Sequence, residues 1–195
     1  RGLGDVYKRQ ESLKSEGGLP DSRVIVSNSD IEYRLAAYDG NNSLHLRSSG
    51  QTGELVFDKP FATAELSMLA TSGRGQSEIE AVVNYADGTS SSPQMLTVRD
   101  WSVRNPVGDE AVTQLGCMTL SDSSYGTDCH YCLFENAISC DESRQVKSVT
   151  INMRNDATLS VLAFSRQEKT STAISSPSVK GERTVVGIYS ADGVR

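Results

Sequence analysis

Long apolar runs and excess basic charge are both missing from this chain of 195 residues. No apolar segment approaches the roughly 20 residues that a membrane-crossing helix needs, so no membrane span is expected. Lys and Arg number 19 against 25 Asp and Glu, a formal net charge of -6. With no basic stripe to neutralise phosphates, nucleic acid is excluded as the expected partner. Histidine occurs twice and tryptophan once. Neither an HExxH motif nor a nucleophile elbow is present, which removes the metalloprotease and α/β-hydrolase signatures. The 3.6-residue apolar period of an amphipathic helix is missing as well.

What the chain does contain is apolar alternation of period two, the signature of a half-buried strand. Across residues 62–101, Leu66, Met68 and Ala70 oppose Glu65, Ser67 and Thr71. Ile79, Ala81, Val83 and Tyr85 oppose Glu78, Glu80, Val82 and Asn84, and Leu96 and Val98 oppose Thr97 and Arg99. The links 72–76 and 86–89 carry Gly and Asp and read as hairpin loops, giving a three-stranded meander with one apolar face. A second layer has to cover that face.

Further strands are expected at 24–26, 31–37, 44–46 and 55–57, the last two as another hairpin. Others follow at 115–120, 131–139, 149–153 and 159–164. Short strands at this spacing predict an all-β, antiparallel β-sandwich, most simply a jelly roll. The sandwich is expected over 19–166, after a polar terminus over 1–18. Residues 167–182, rich in Ser, Thr and Lys, read as a linker. A new strand and turn over 183–195 are too short for a core of their own, which predicts truncation within a second, small module.

Some segments resemble known sequences. The first ten residues, RGLGDVYKRQ, are similar to translated sequencing-adapter remnants, so the natural start, with any signal peptide, is expected to be lost. The tail TVVGIYSADGVR (184–195) resembles the opening of the C-terminal sorting domain of the type IX secretion system of Bacteroidetes. The segments YDGNNSLHL (38–46), ELSMLATSG (65–73), VNYADGT (83–89) and VRDW (98–101) are similar to secreted Bacteroidetes modules of galactose-binding-like or jelly-roll type. The resemblance implies a secreted or cell-surface protein that engages the secretion machinery through its tail. It implies no catalytic residues.

Four cysteines, Cys117, Cys129, Cys132 and Cys140, form an even set. In an exported domain this favours disulfides, with three pairings open. Zinc is the rival, because Cys129-His130-Tyr131-Cys132 supplies one CxxC half and Cys117, Cys140 or His130 could complete it. The second CxxC half is missing, and no metal is expected. A thioredoxin-like role lacks its βαβ context. Asp39, Asn41 and Asn42 could hold a structural Ca²⁺, but turn chemistry accounts for them without one.

Candidate ligand-binding residues are Trp101, Tyr38, His45, Arg47, Glu78 and Glu80. Aromatics beside a sheet offer platforms to sugars. His45 and Arg47, with the Glu78/Glu80 pair, could line a sheet face in the manner of a jelly-roll glycan hydrolase or lyase. The expectation is a non-catalytic, exported accessory module that binds a polysaccharide or surface glycan. A structural or adhesive surface module is the alternative, and a glycan-active enzyme the second alternative.

Overall fold

The computed structural model describes residues 19–102, 110–112, 132–167 and 183–186. They form twelve strands: β1 (Val24–Val26), β2 (Glu32–Arg34), β3 (Leu44–Leu46), β4 (Thr52–Ala62), β5 (Glu65–Gly73), β6 (Ser77–Tyr85), β7 (Gln94–Val98), β8 (Glu110–Val112), β9 (Leu133–Ser139), β10 (Gln145–Met153), β11 (Thr158–Gln167) and β12 (Arg183–Val186). One sheet runs β4-β10-β6-β7 and the other β12-β11-β5-β9-β8, with β3 also paired to β11. Strand pairs are antiparallel throughout. The protein is an antiparallel β-sandwich. Within it, the orders β3-β11-β5-β9 and β4-β10-β6-β7 are the two four-stranded sheets of a jelly roll.

That topology corrects two local expectations. The 72–76 link does not make a hairpin: β5 and β6 lie in different sheets, and the link carries the chain from one layer to the other. The link between β3 and β4 also crosses between sheets. Of the expected hairpins only β6–β7 pairs, from Ser77 opposite Val98 to Ala81 opposite Gln94. The crossing at 72–76 has its own chemistry. Arg74 and Gly75 both have positive φ (62° and 101°), and Ser72 Oγ donates to Gly75 O at 2.6 Å. The Gly75 amide donates to Asp100 Oδ2 at 2.7 Å, tying the crossing to the end of β7.

The period-two residues meet between the sheets. Leu66, Met68 and Ala70 of β5 pack in one buried cluster with Ile79, Ala81, Val83 and Tyr85 of β6 and Val149, Ile151 and Met153 of β10. Two of the long core strands break the period, each by a bulge. In β10 the register shifts between Val146 and Ser148, and in β11 between Val161 and Ala163. An extra residue lets Val146 and Val149, three apart, both enter the core, and likewise Val161 and Phe164. Gly53 leaves the space that the Leu44 side chain fills where the two layers approach.

The six-stranded sheet is covered on its other face too. The β1–β2 hairpin lays Ile25, Ile31, Tyr33 and Leu35 over Leu69, Leu133, Leu162 and Ala163, a second buried cluster. Tyr33 is fully buried, and its hydroxyl lies 2.9 Å from both Ser67 Oγ and Glu135 Oε1. Ser67, assigned by alternation to a polar face, is therefore inside the molecule. The hairpin turn is fastened to β8, where the Asn28 amide donates to Ala111 O at 2.7 Å and Asn28 Nδ2 to Glu110 O at 2.9 Å. Buried Glu110 is held by Arg99 at 3.6 Å. The strand expected from residue 184 is β12, which pairs with Phe164–Gln167 of β11. The strand expected at 115–120 lies outside the described residues.

Candidate functional site

The four-stranded sheet has a second face that no described element covers. Alternation decides what stands on it. Because Leu55, Ile79, Ala81, Val83, Val149, Ile151 and Met153 point inward, the residues between them point out. Register then sets rows across the sheet. Thr52, Asn152, Glu80 and Met95 form one, and Glu54, Thr150 and Val82 the next. Val56, Ser148 and Asn84 form the third.

These groups are joined side chain to side chain. Asn84 Nδ2 donates to Thr150 Oγ1 at 2.9 Å and to Ser148 Oγ at 3.1 Å, and Ser148 donates to Glu54. Ser90 Oγ donates to Asn84 Oδ1 at 2.9 Å. In the adjoining row Thr52 Oγ1 donates to Asn152 Oδ1 at 2.7 Å, and Asn152 Nδ2 to Glu80 Oε1 at 3.2 Å. Arg154 approaches the other oxygen of Glu80 at 3.9 Å. The bulge in β10 is what admits Ser148 to this lattice. A strict alternation from Val146 would turn Ser148 into the core; the extra residue, Lys147, rotates it to the outer face. Val56 and Met95 flank the lattice with exposed apolar surface, 40% and 61% accessible.

The six candidate residues do not meet in one place. Glu78 and Glu80 are on this open face, Glu78 exposed and Glu80 within the lattice. His45 lies on the opposite side of the sandwich, since its neighbours Leu44 and Leu46 enter the core from the other sheet. Its Nδ1 is 3.0 Å from Ser160 Oγ, and burial, then the Arg47 charge, lowers its pKa below 6.5. Arg47 is exposed beyond the end of β3. Tyr38 packs against the cluster under the β1–β2 hairpin, and its hydroxyl donates to Pro20 O at 2.8 Å. Trp101 closes the edge between the sheets. Its amide donates to Ser72 O at 2.8 Å, its carbonyl accepts from the Cys132 amide at 3.0 Å, and its indole lies over Gly73. The constellation of His45 and Arg47 with Glu78 and Glu80 is thus split between two outer faces.

No disulfide is present among the described residues. Cys132 and Cys140 stand beyond opposite ends of β9, about 25 Å apart along an extended strand, far outside the reach of one bridge. Cys140 carries a free thiol whose proton is held by burial, with the pKa pushed up to about 12. Cys117 and Cys129 lie outside the described residues. Within the described residues no group of three or more His, Cys, Asp or Glu could hold a metal. Around the Asp39-to-Asn42 turn, Asn42 Nδ2 donates to Ala37 O at 3.1 Å, which is turn chemistry of the expected kind.

Residue-by-residue reading of the sequence passed over Glu54, Asn84, Ser148, Thr150 and Asn152. Part of the signal was the alternation of Thr150, Asn152 and Arg154 with Val149, Ile151 and Met153. What alternation could not supply was the neighbouring strand. No protein-family model matches the chain, and no curated protein matches it.

Proposed function

We propose that the protein is a non-catalytic, exported accessory module whose open four-stranded face binds a polysaccharide or surface glycan. The observation that carries this reading is the lattice linking Glu54, Ser148, Asn84 and Thr150 across three strands. A solvated face needs only polar side chains. A lattice holds their polar atoms at the strand spacing of about 4.8 Å before any ligand arrives, which reduces the ordering cost of binding hydroxyl groups. The separation of His45 from Glu78 and Glu80 supports a binding role over a hydrolytic one, because acid–base catalysis needs its groups around one substrate atom. Export rests on the resemblance of the body and tail to secreted Bacteroidetes modules.

Affinity electrophoresis through a panel of soluble polysaccharides tests the proposal. At least one should retard the wild-type chain, and Asn84→Ala should weaken that retardation about tenfold while keeping the wild-type melting profile. His45→Ala should bind as wild type does. Migration unaffected by every polysaccharide would favour the alternative, a structural or adhesive module in which Val56 and Met95 meet another protein.

A further inference from the structure

One edge of β11 carries two strands end to end. β3 pairs with Leu159–Val161 and β12 with Phe164–Gln167, both antiparallel, while β5 fills the other edge. Phe164 and Ser165 are buried, so their backbone groups need a strand partner, and β3 stops short of them. The partner is Arg183–Val186. In register Gln167 stands opposite Arg183, where a hairpin loop of about 2–5 residues would close the pair. The link is residues 168–182 instead, and the strand it delivers is only four residues long. A short strand closing a long loop is held weakly.

One group beside this strand is left unanswered. Ser165 is 1% exposed, and its Oγ has no hydrogen-bond partner among the described residues. Its neighbours across the sheet are Ser67 on β5 and position 185 on β12. The Ser67 hydroxyl is engaged with Tyr33. Position 185 is a valine, a residue with no polar side-chain atom. A buried hydroxyl without a partner costs stability, which a hydroxyl directly opposite on the adjacent strand would restore. Threonine has the outline of valine with a hydroxyl in place of one methyl, so the position suits it.

We infer that the Phe164–Gln167 edge of β11 is an acceptor site for an extended protein strand, and that its preferred occupant carries Ser or Thr opposite Ser165. The chain's own 183–186 segment holds the site. A partner strand bearing the hydroxyl displaces it, antiparallel and in the same register. Backbone bonds to β11 supply the affinity, and the pair with Ser165 supplies the selectivity. The site lies in the other sheet from the open four-stranded face and does not depend on the glycan reading.

The test uses the full chain carrying Thr184→Pro and Val185→Pro together, which removes ladder N–H groups from β12 and vacates the edge. Two fluorescently labelled peptides are the probes: the chain's own Arg183–Tyr189 sequence, and the same peptide with Val185→Thr. Both should bind the proline variant, the Val185→Thr peptide about fivefold tighter, as one added net hydrogen bond implies. Both should bind the wild-type chain about tenfold more weakly or worse, because its own strand competes at high effective concentration. Adding Ser165→Ala should erase the difference between the peptides. Equal affinity of the two peptides for the proline variant would overturn the inference, and so would no binding to a variant that keeps the wild-type circular dichroism. Should that variant fail to fold, amide hydrogen exchange decides. Val185→Thr in the otherwise unchanged chain should slow exchange across 183–186 about fivefold, and exchange at the wild-type rate would overturn the inference.

Discussion

At the scale of single residues, position matters more than type. Gly53 is a strand glycine with no turn to make, and its role is the volume it leaves for Leu44. A methyl group there would enter the Leu44 side chain, so Gly53→Ala is expected to destabilise by about 1–3 kcal/mol, read as a lower denaturant midpoint at unchanged slope. Pairing Gly53→Ala with Leu44→Ala should recover part of the loss that the two changes would cost independently. Asp87 and Asp141 illustrate a different residue effect. The Thr89 hydroxyl and amide bond to Asp87, and the Ser143 hydroxyl and amide to Asp141, holding both carboxyls below their ordinary value of 3.8. Arg144 adds to both and lies over the Tyr85 ring. A carboxyl with a depressed pKa stabilises the fold above its unfolded pKa, and that contribution disappears as pH falls through the folded value. Melting temperature should therefore drop below about pH 4, and Asp87→Asn with Asp141→Asn should flatten that part of the profile.

At the scale of elements, the two bulges do the most. The sequence announces them as broken period-two patterns, Val146 to Val149 and Val161 to Phe164, in segments that otherwise alternate. Deleting Lys147 would leave Val146, Ser148 and Val149 alternating in, out and in, with Val146 still opposite Tyr85 and Ser148 still opposite Asn84. Every side chain keeps its face, so the deletion variant, like Lys147→Ala, should unfold at a denaturant midpoint close to that of the wild type. Deleting Ser148 instead would put Lys147 in its place on the outer face and remove the hydroxyl that joins Asn84 to Glu54, so that variant should unfold at lower denaturant concentration. Strand identity was readable from sequence because it depends on residues two apart. Strand pairing was not. The glycines that suggested a hairpin at 72–76 also suit a link that changes sheet, since positive φ at Arg74 and Gly75 serves either path. Tyr33, with its hydroxyl against Ser67 and Glu135, depends on contacts 34 and 102 residues away, which no local pattern records.

At the scale of the molecule, the jelly roll explains which expectations held. A β-sandwich could be anticipated because many alternating segments without a helix need two layers. In this topology β3 pairs with β11, β4 with β10, β5 with β9 and β6 with β7, so among these eight strands partners close in sequence occur only at the innermost turn. The candidate site was partly legible for the same reason. Glu78 and Glu80 lie on β6, in the one pair of neighbouring strands whose alternation is read together, whereas their neighbours Asn152, Thr150, Ser148 and Glu54 arrive from distant segments. The hairpin β1–β2 covers the outer face of the other sheet, leaving the four-stranded face as the one without a described cover.

The central claim is that recognition takes place on this open face. Backbone amide chemical shifts of the full chain, recorded while adding the polysaccharide that retards it most, test the claim most directly. The expected result is a contiguous set of perturbations at Thr52, Glu54, Glu80, Asn84, Ser148, Thr150 and Asn152, with β1 and β2 unchanged. Perturbations confined to Tyr38, His45 and Trp101, on the covered side and the edge, would contradict it.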